Sequence, residues 1–193
     1  KIDFFIIGAQ KCGTTSLHDY MNQHPFCTGA LRKETLFFTK KYRGTVTLKR
    51  LVGHFSFKKL MRNRGKCLFF ESTPDNVYEE SAPGRIYKYN PKAKLIFLVR
   101  EPVGRAISEY NMACKYAIVK NLCVREDPER EYFDFLKQPD KYPFEWFVKE
   151  ELRRMEETGS RLLRHSIILI LFVMACIASS WKGIFSISVR SKY

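Results

Sequence analysis

The sequence lacks the closely spaced ligands with which proteins hold structural zinc. Its six cysteines include no C-x-x-C pair, and its four histidines are dispersed along the chain. Structural zinc sites need such spacing, so we expect no metal centre. The even number of cysteines permits disulfides, and Cys114 with Cys123 is the pair that could bridge in an oxidising compartment. Free buried thiols are the interpretation that we prefer for that pair.

Acidic residues are scarce. The chain has 34 lysines and arginines against 20 aspartates and glutamates, which gives a net charge of +14. Such an excess favours anionic partners, among them a nucleotide, an acidic polysaccharide, an anionic membrane or nucleic acid. The basic residues are scattered rather than gathered in one block, and this disfavours nucleic acid.

A long apolar run is also missing. The uncharged segment from Ser166 to Trp181 is shorter than the ~20 residues that a membrane span requires. Three interpretations stay open for it: a core strand with a helix, a marginal membrane segment, or a terminus produced by alternative splicing or truncation. The chain has no N-x-S/T sequon and starts at Lys1 directly on a strand. We therefore expect a fragment or processed form whose targeting segment is not displayed.

The length and composition of the chain are those of one globular domain. It has 193 residues, of which 45% are hydrophobic and 15% aromatic. Its most informative segment is an apolar strand over residues 3–8 that leads into a glycine-bearing loop and a helix over residues 14–22. A helix start presents unpaired N–H groups and the positive end of the helix dipole, so it attracts anions. Lys11 adds a full positive charge, and the hydroxyls of Thr14, Thr15 and Ser16 add hydrogen-bond donors. The segment therefore predicts a phosphate or sulfate site.

The nucleotide-triphosphatase loop, G-x-x-x-x-G-K-S/T, is the competing interpretation. Gly8 and Gly13 have the required separation, but Thr14 stands where that motif needs its lysine. No acid that could hold magnesium is evident after a later strand. The lysine comes earlier, at Lys11, which disfavours a β/γ-phosphate site.

The K-x-G-T-T-S pattern of residues 11–16 resembles the 5′-phosphosulfate loop of sulfotransferases that use 3′-phosphoadenosine 5′-phosphosulfate (PAPS). The resemblance implies that this co-substrate is bound by the loop residues Lys11, Cys12, Gly13, Thr14, Thr15 and Ser16. It also gives Lys11 a catalytic role. No metal is required, because the lysine and the helix dipole supply positive charge.

Further strands and helices alternate along the chain. We predict strands over residues 67–71 and 94–99, and helices over residues 79–90, from Pro102 through Tyr110 and over residues 144–157. The apolar run of the 94–99 strand is typical of burial on both faces. The last helix places four apolar residues on one face: Phe147, Val148, Leu152 and Met155. The alternation indicates an α/β fold, a P-loop-type three-layer arrangement with a central parallel sheet flanked by helices. Ligands bind at the carboxyl ends of such strands, where the anion loop, Glu71 and Arg100 all lie.

A second motif follows the strand that ends near Val99. Arg100 and Ser108, eight positions apart, resemble the 3′-phosphate-binding pair of the same sulfotransferases. A guanidinium offers phosphate a two-pronged set of donors, and a serine in the next helix adds a hydroxyl. Arg105 either assists this pair or is a surface or packing arginine.

A third element, K-E-x-x-F-F, begins at Lys33 and Glu34. Glycan sulfotransferases of the heparan and chondroitin type carry a comparable element, and this likeness implies that Glu34 is the catalytic base. The alternative is that Glu34 only pairs with a basic neighbour. The segment 71–75 also resembles the family, although some glycan members have lysine where Ser72 stands.

The likeness runs from about Lys1 to Tyr116 and then fades. We predict an incomplete sulfotransferase-like domain over residues 1–160 and a divergent apolar tail over residues 161–193, because the G-x-Y-type helix and the basic glycine loop of the family are not found. The family implies transfer of a sulfuryl group from PAPS to a hydroxyl or amine of an anionic polysaccharide, without nucleic acid, by a membrane-tethered enzyme of the Golgi lumen. The alternative is a truncated homologue that only binds nucleotide or anionic glycan.

Overall fold

The computed structural model describes residues 1–39, 53–120 and 134–158. These residues fall into two compact units that divide between Val99 and Arg100. The predicted apolar tail, residues 161–193, lies outside the described residues. Within the described part of the chain, no helix is long and apolar enough to cross a membrane.

The first unit is built on a parallel sheet, as predicted, and this sheet has four strands. The strands are β1 (Phe4–Gly8), β2 (Cys27–Gly29), β3 (Leu68–Ser72) and β4 (Lys94–Phe97), and their order across the sheet is β2-β3-β1-β4. All five residues of β1 are buried. This continuous apolar run is typical of a parallel strand that is covered on both faces.

The described helices connect and follow these strands. They are α1 (Thr14–Gln23), α2 (Lys58–Arg62), α3 (Ala82–Tyr89), α4 (Pro102–Lys120) and α5 (Phe144–Thr158), with a 3₁₀ turn at Pro74–Val77. Strand β2, helix α2 and the 3₁₀ turn were not predicted from the sequence.

Helices cover both faces of the sheet, which confirms the three-layer prediction. On one face, Leu17 and Met21 of α1 pack against Phe4, Ile6 and Phe70. On the other face the apolar cluster joins the sheet, α3 and the segment after β2; its fully buried members include Phe5, Ile7, Phe38, Val77 and Ile86. The two apolar clusters cover the faces of the sheet, whereas polar side chains lie at the carboxyl ends of the strands.

Strand β4 differs from its prediction. We expected burial on both faces, but Lys94 is exposed and the other three residues are only half-buried. In the described sheet β4 pairs with β1 and lies at the end of the strand order, so its outer side is not covered by another described strand.

The second unit is helical in its described part. Ala106, Tyr110 and Cys114 of α4 pack against Phe147 of α5, and the Tyr110 hydroxyl donates to the Tyr142 carbonyl at 2.8 Å. Cys114 is a free buried thiol; Cys123 lies outside the described residues.

The predicted apolar face of α5 is partly wrong. Phe147 is fully buried, but Leu152 is 47% exposed and Glu151, one position earlier, is buried in its place. Phe147 and Glu151 are four residues apart and therefore share a helix face, whereas Leu152 is rotated about 100° away from Glu151. Met155 belongs to the part of α5 whose side chains the structure does not describe.

Candidate functional site

The anion loop joins β1 to α1 at the carboxyl end of the sheet. The Ala9 N–H donates to the Leu98 carbonyl at 3.0 Å, and the Leu98 N–H donates to the Gly8 carbonyl at 2.8 Å, so the loop is anchored beyond the end of β4. Lys11 has a φ of 62° and Gly13 a φ of 87°, both in the left-handed region. The chain therefore turns sharply twice before the helix begins.

The N-terminus of α1 is open to an anion. Gly13 is its N-cap residue, and no side chain of the described residues caps it. The N–H groups of the first helical turn have no partner inside the helix, since the first such bond is donated by Leu17 to Gly13 at 3.0 Å. Thr15 and Ser16 are exposed, whereas Thr14 is buried. Thr15 and Ser16 can therefore turn their hydroxyls to a ligand in solution.

A neighbouring segment holds the loop in place. The Gln10 side-chain amide donates to a carboxylate oxygen of Asp75 at 2.7 Å. Asp75 belongs to the 3₁₀ turn that follows β3. The anion loop and the segment after β3 are thus in direct contact, as the parallel sheet predicts.

Glu34 lies on the segment that follows β2. Its carboxylate is 2.7 Å from the Lys33 ammonium, and its side chain is 45% exposed. The contact with Lys33 is the ion pair of the alternative interpretation, and it involves one of the two carboxylate oxygens, Oε1. Glu34 and Leu36 both have left-handed φ angles, 63° and 59°. Neither residue is a glycine, so the surroundings must hold this conformation.

Glu71, at the end of β3, is a buried carboxyl group at the same edge of the sheet. It is fully buried and accepts hydrogen bonds from the Thr35 hydroxyl at 2.9 Å, the Thr35 N–H at 3.3 Å and the Thr73 hydroxyl. Burial raises the pKa of Glu71, and the bonds from Thr73 and Thr35 oppose that rise. The signal in the sequence was an acid in an otherwise apolar strand.

His18 is a second buried polar residue that sequence reasoning missed. Its Nδ1 lies 2.9 Å from the Ser72 hydroxyl oxygen, and the Asn22 amide lies 3.0 Å from its Nε2. The Asn22 oxygen already accepts the Gly29 N–H at 2.8 Å, so the Asn22 NH₂ group faces the histidine. Nε2 is therefore an acceptor, and Nδ1 donates to Ser72. Burial lowers the pKa of His18, which keeps the ring neutral.

Ser72 has no exposed surface. Its hydroxyl contacts His18, and its carbonyl accepts the Glu34 N–H at 2.9 Å. In this chain Ser72 therefore belongs to the packing of α1 against β3. Its side chain does not reach solvent.

Arg100 and Ser108 belong to the second unit. Arg100 is exposed and precedes α4, which begins at Pro102. Its guanidinium passes beside Gly104, because a Cβ atom at Gly104 would lie 3.6 Å from Nη2. Gly104 and Ser108 are four residues apart on α4, so they share a helix face. The structure thus brings the arginine to the side of α4 that carries the predicted serine.

Two further charged residues, Glu101 and Arg105, lie close to Arg100 and Ser108 in the sequence. Glu101 accepts the N–H groups of Val103 at 2.8 Å and Gly104 at 2.6 Å and so caps α4. These two bonds lower the pKa of Glu101. Arg105 is 2% exposed, which makes it a buried side chain rather than a surface one.

Three predicted polar segments therefore meet at one edge of the first unit: the anion loop, the segment with Glu34, and the segment 71–75. Within residues 1–39, 53–120 and 134–158, no group of three or more metal-ligating side chains occurs. The positive charge of the site comes from Lys11, Lys33 and the helix dipole of α1.

Comparison with known proteins gives one family. A family model described as a sulfotransferase domain matches residues 1–160. Over 106 residues the chain is 36% identical to heparan sulfate glucosamine 3-O-sulfotransferase 6 of Homo sapiens, which covers 54% of this chain and 28% of that protein. It is 30% identical over 114 residues to the membrane-associated sulfotransferase kil1 of Dictyostelium discoideum, covering 59% of this chain and 23% of that protein.

A third relative and a solved structure also match this chain. Carbohydrate sulfotransferase 15 of Mus musculus is 26% identical over 147 residues, with 55% of this chain and 26% of that protein covered. The crystal structure of a sulfotransferase from Alicyclobacillus acidocaldarius matches with a TM-score of 0.59 at 22% identity, over 96% of this chain and 69% of that one. This likeness confirms the α/β fold. The chain spans about a quarter of the length of these three curated relatives.

Proposed function

The chain belongs to the sulfotransferase domain family, and from this we propose that it is an enzyme that moves a sulfuryl group from PAPS to a hydroxyl or amine of a glycan. The observation that carries the proposal is the uncapped N-terminus of α1, preceded by Lys11 and flanked by exposed hydroxyls. This arrangement suits a tetrahedral anion, which accepts N–H and O–H donors on several oxygens.

The 5′-phosphosulfate is assigned to the anion loop. The N–H groups of residues 13–16 and the hydroxyls of Thr15 and Ser16 would donate to its oxygens, with Cys12 in the same turn. Thr14 is buried, so its contribution is the backbone N–H. The 3′-phosphate of the same nucleotide is assigned to Arg100 and Ser108, which provide a guanidinium and a hydroxyl on one side of α4.

The reaction is an in-line displacement at sulfur. Glu34 takes the proton from the acceptor hydroxyl or amine while the acceptor atom forms its bond to sulfur. The bond between sulfur and the bridging oxygen of the nucleotide breaks, and 3′-phosphoadenosine 5′-phosphate leaves. Lys11 and the loop N–H groups stabilise the negative charge that grows on that oxygen. Loss of one such contact typically raises the barrier by about 3 kcal/mol.

The acceptor is assigned to the polysaccharide class. The named relatives act on heparan sulfate glucosamine and on carbohydrate, and the net charge of +14 suits an anionic chain. The proposed location is the Golgi lumen with a membrane association, as for the family; the kil1 relative is named membrane-associated.

Transfer of radiolabelled sulfate from PAPS to desulfated heparan or chondroitin tests the proposal. We expect product with the wild-type chain and a loss of at least about 100-fold in kcat for Lys11→Ala and for Glu34→Gln. Glu34→Gln should still bind 3′-phosphoadenosine 5′-phosphate, because the base does not hold the nucleotide.

The matched controls are Lys58→Ala and Glu80→Gln, since both side chains are exposed and lie outside the assigned contacts. Full turnover in Glu34→Gln would remove Glu34 from the role of base. Nucleotide and glycan binding by the wild type without any product would indicate a non-catalytic binder instead.

A further inference from the structure

The segment that carries Glu34 is attached to the end of β3 through three consecutive backbone N–H groups. The Glu34 N–H donates to the Ser72 carbonyl at 2.9 Å, the Thr35 N–H to the Glu71 carboxylate at 3.3 Å, and the Leu36 N–H to the Thr73 hydroxyl at 3.3 Å. Residues 71–73 thus receive every N–H of residues 34–36. Two of the three bonds depend on side chains.

This attachment supports a conformation that the segment does not favour by itself. Glu34 and Leu36 are in the left-handed region at 63° and 59°, which is unfavourable for a residue that is not glycine. The Glu34 side chain contributes little to its own placement, because it is 45% exposed and its ion pair is with the adjacent Lys33. The position of its carboxylate is therefore set by the backbone.

Glu71 is the centre of the attachment. One of its oxygens accepts the Thr35 N–H, the Thr35 hydroxyl at 2.9 Å and the Thr73 hydroxyl, and Thr73 in turn accepts the Leu36 N–H. The second oxygen faces the Asn76 amide at 3.4 Å. A fully buried carboxyl group is costly to desolvate, and here three donors on one oxygen compensate it.

We propose that Glu71 is a positioning residue of the transfer reaction: it holds the 34–36 backbone, and through it the Glu34 carboxylate, in the geometry needed to take the acceptor proton. This inference rests on the proposed function, in which Glu34 is the base. Glu71 is fully buried, so it acts through Glu34 rather than on the substrate.

The kinetic test is a double-mutant cycle in the full chain. Glu71→Ala should lower kcat by about 10- to 100-fold, since small misplacements of a reacting group have effects of that order, and should change KM for PAPS less than about twofold. In the Glu34→Gln background, Glu71→Ala should cause no further loss of kcat. A structural role independent of Glu34 would instead give losses that multiply.

Two conservative variants keep the test valid if Glu71→Ala folds poorly. Glu71→Gln retains an oxygen that can accept hydrogen bonds from Thr35 and Thr73. We therefore expect the kcat of this variant to lie within about threefold of the wild-type value. Thr73→Val keeps the side-chain volume but removes both the acceptor for Leu36 and a donor to Glu71. It should lower kcat in the same direction as Glu71→Ala, again without a further effect in the Glu34→Gln background.

A measurement that needs no turnover separates this inference from the proposed function. Amide hydrogen exchange of Glu34, Thr35 and Leu36 should become at least about tenfold faster in Glu71→Ala and in Thr73→Val, while α1 keeps its protection. Unchanged exchange at these three amides, or multiplying losses in the double mutant, would overturn the positioning role. If the wild type transfers no sulfate, the proposed function fails, and the exchange result alone decides whether Glu71 holds the segment.

Discussion

At the residue scale, the contacts of His18 decide its charge. The Asn22 NH₂ group faces Nε2 at 3.0 Å, and Ser72 accepts from Nδ1 at 2.9 Å. A proton added to Nε2 would point at another donor in a buried place. The folded chain therefore prefers the neutral ring, in agreement with the direction in which burial shifts the pKa of His18.

The stability of the first unit should consequently fall in mild acid. Because the folded pKa of His18 is lowered from 6.5, its contribution is fully present above the unfolded pKa and is lost as the pH falls through the folded pKa. One proton gives a slope of at most about 1.4 kcal/mol per pH unit.

Urea unfolding of the wild type and of His18→Gln, at about pH 7.5 and about pH 5, measures this effect. We expect the wild type to lose its advantage over the variant at the lower pH. An advantage that is the same at both pH values would show that His18 is not the titrating group.

Residues that stand in a short sequence motif could be singled out from the sequence. Residues whose importance depends on their contacts in the fold could not. Lys11 and Glu34 stand in short patterns and could be singled out from the sequence. Their left-handed φ angles could not, because a short motif does not specify backbone conformation. Glu71 and His18 are polar residues in apolar surroundings, which signals a buried partner but does not say which one it is.

At the scale of elements, β1 ends on a glycine for a packing reason. A Cβ atom at Gly8 would lie 2.6 Å from Val77 Cγ1 and 3.0 Å from the Pro74 carbonyl oxygen. The 3₁₀ turn at Pro74–Val77 thus lies directly against the start of the anion loop. At Gly13 a Cβ atom would meet none of the described residues within 4 Å, so among them the φ of 87° is what opposes a side chain there.

These two glycines give a matched pair of variants. Gly13→Ala should lower the free energy of unfolding by about 1–2 kcal/mol, from backbone strain alone. Gly8→Ala should lower it by more, because overpacking adds about 1–3 kcal/mol to the strain. Urea unfolding of both variants tests the order. Equal losses would show that the turn at Pro74–Val77 moves aside freely.

Element prediction succeeded where the apolar pattern was long. Strands β1 and β3 and helices α1 and α4 follow from their runs and breaks. Strand β2 has only three residues, Cys27–Gly29, and takes its strand conformation from pairing with β3. Helix α2 is also short, with five residues. Its Lys59 donates to the carbonyl of Cys27 at 2.8 Å and also to that of Asn22, so tertiary contacts determine it. The exposure of β4 depends on its position at the end of the strand order. The hydrophobic periodicity of a sequence does not predict strand order.

At the scale of the whole molecule, each of the two compact units carries one predicted phosphate-binding cluster. The anion loop belongs to the first unit, and Arg100 with Ser108 belongs to the second. Both clusters were predicted from short motifs that follow strands, and their joint action on PAPS stays a prediction. The charge of +14 adds a general attraction for the anionic nucleotide and for an anionic glycan.

The central claim is that the loop before α1 binds the sulfated nucleotide rather than a nucleoside triphosphate. A thermal-shift titration of the full chain with 3′-phosphoadenosine 5′-phosphate, beside ATP with magnesium, tests it most directly. We predict that the bisphosphate raises the melting temperature as its concentration passes its dissociation constant, that Lys11→Ala weakens this shift while Lys58→Ala does not, and that ATP with magnesium has little effect. A shift with ATP and magnesium but none with the bisphosphate would contradict the account.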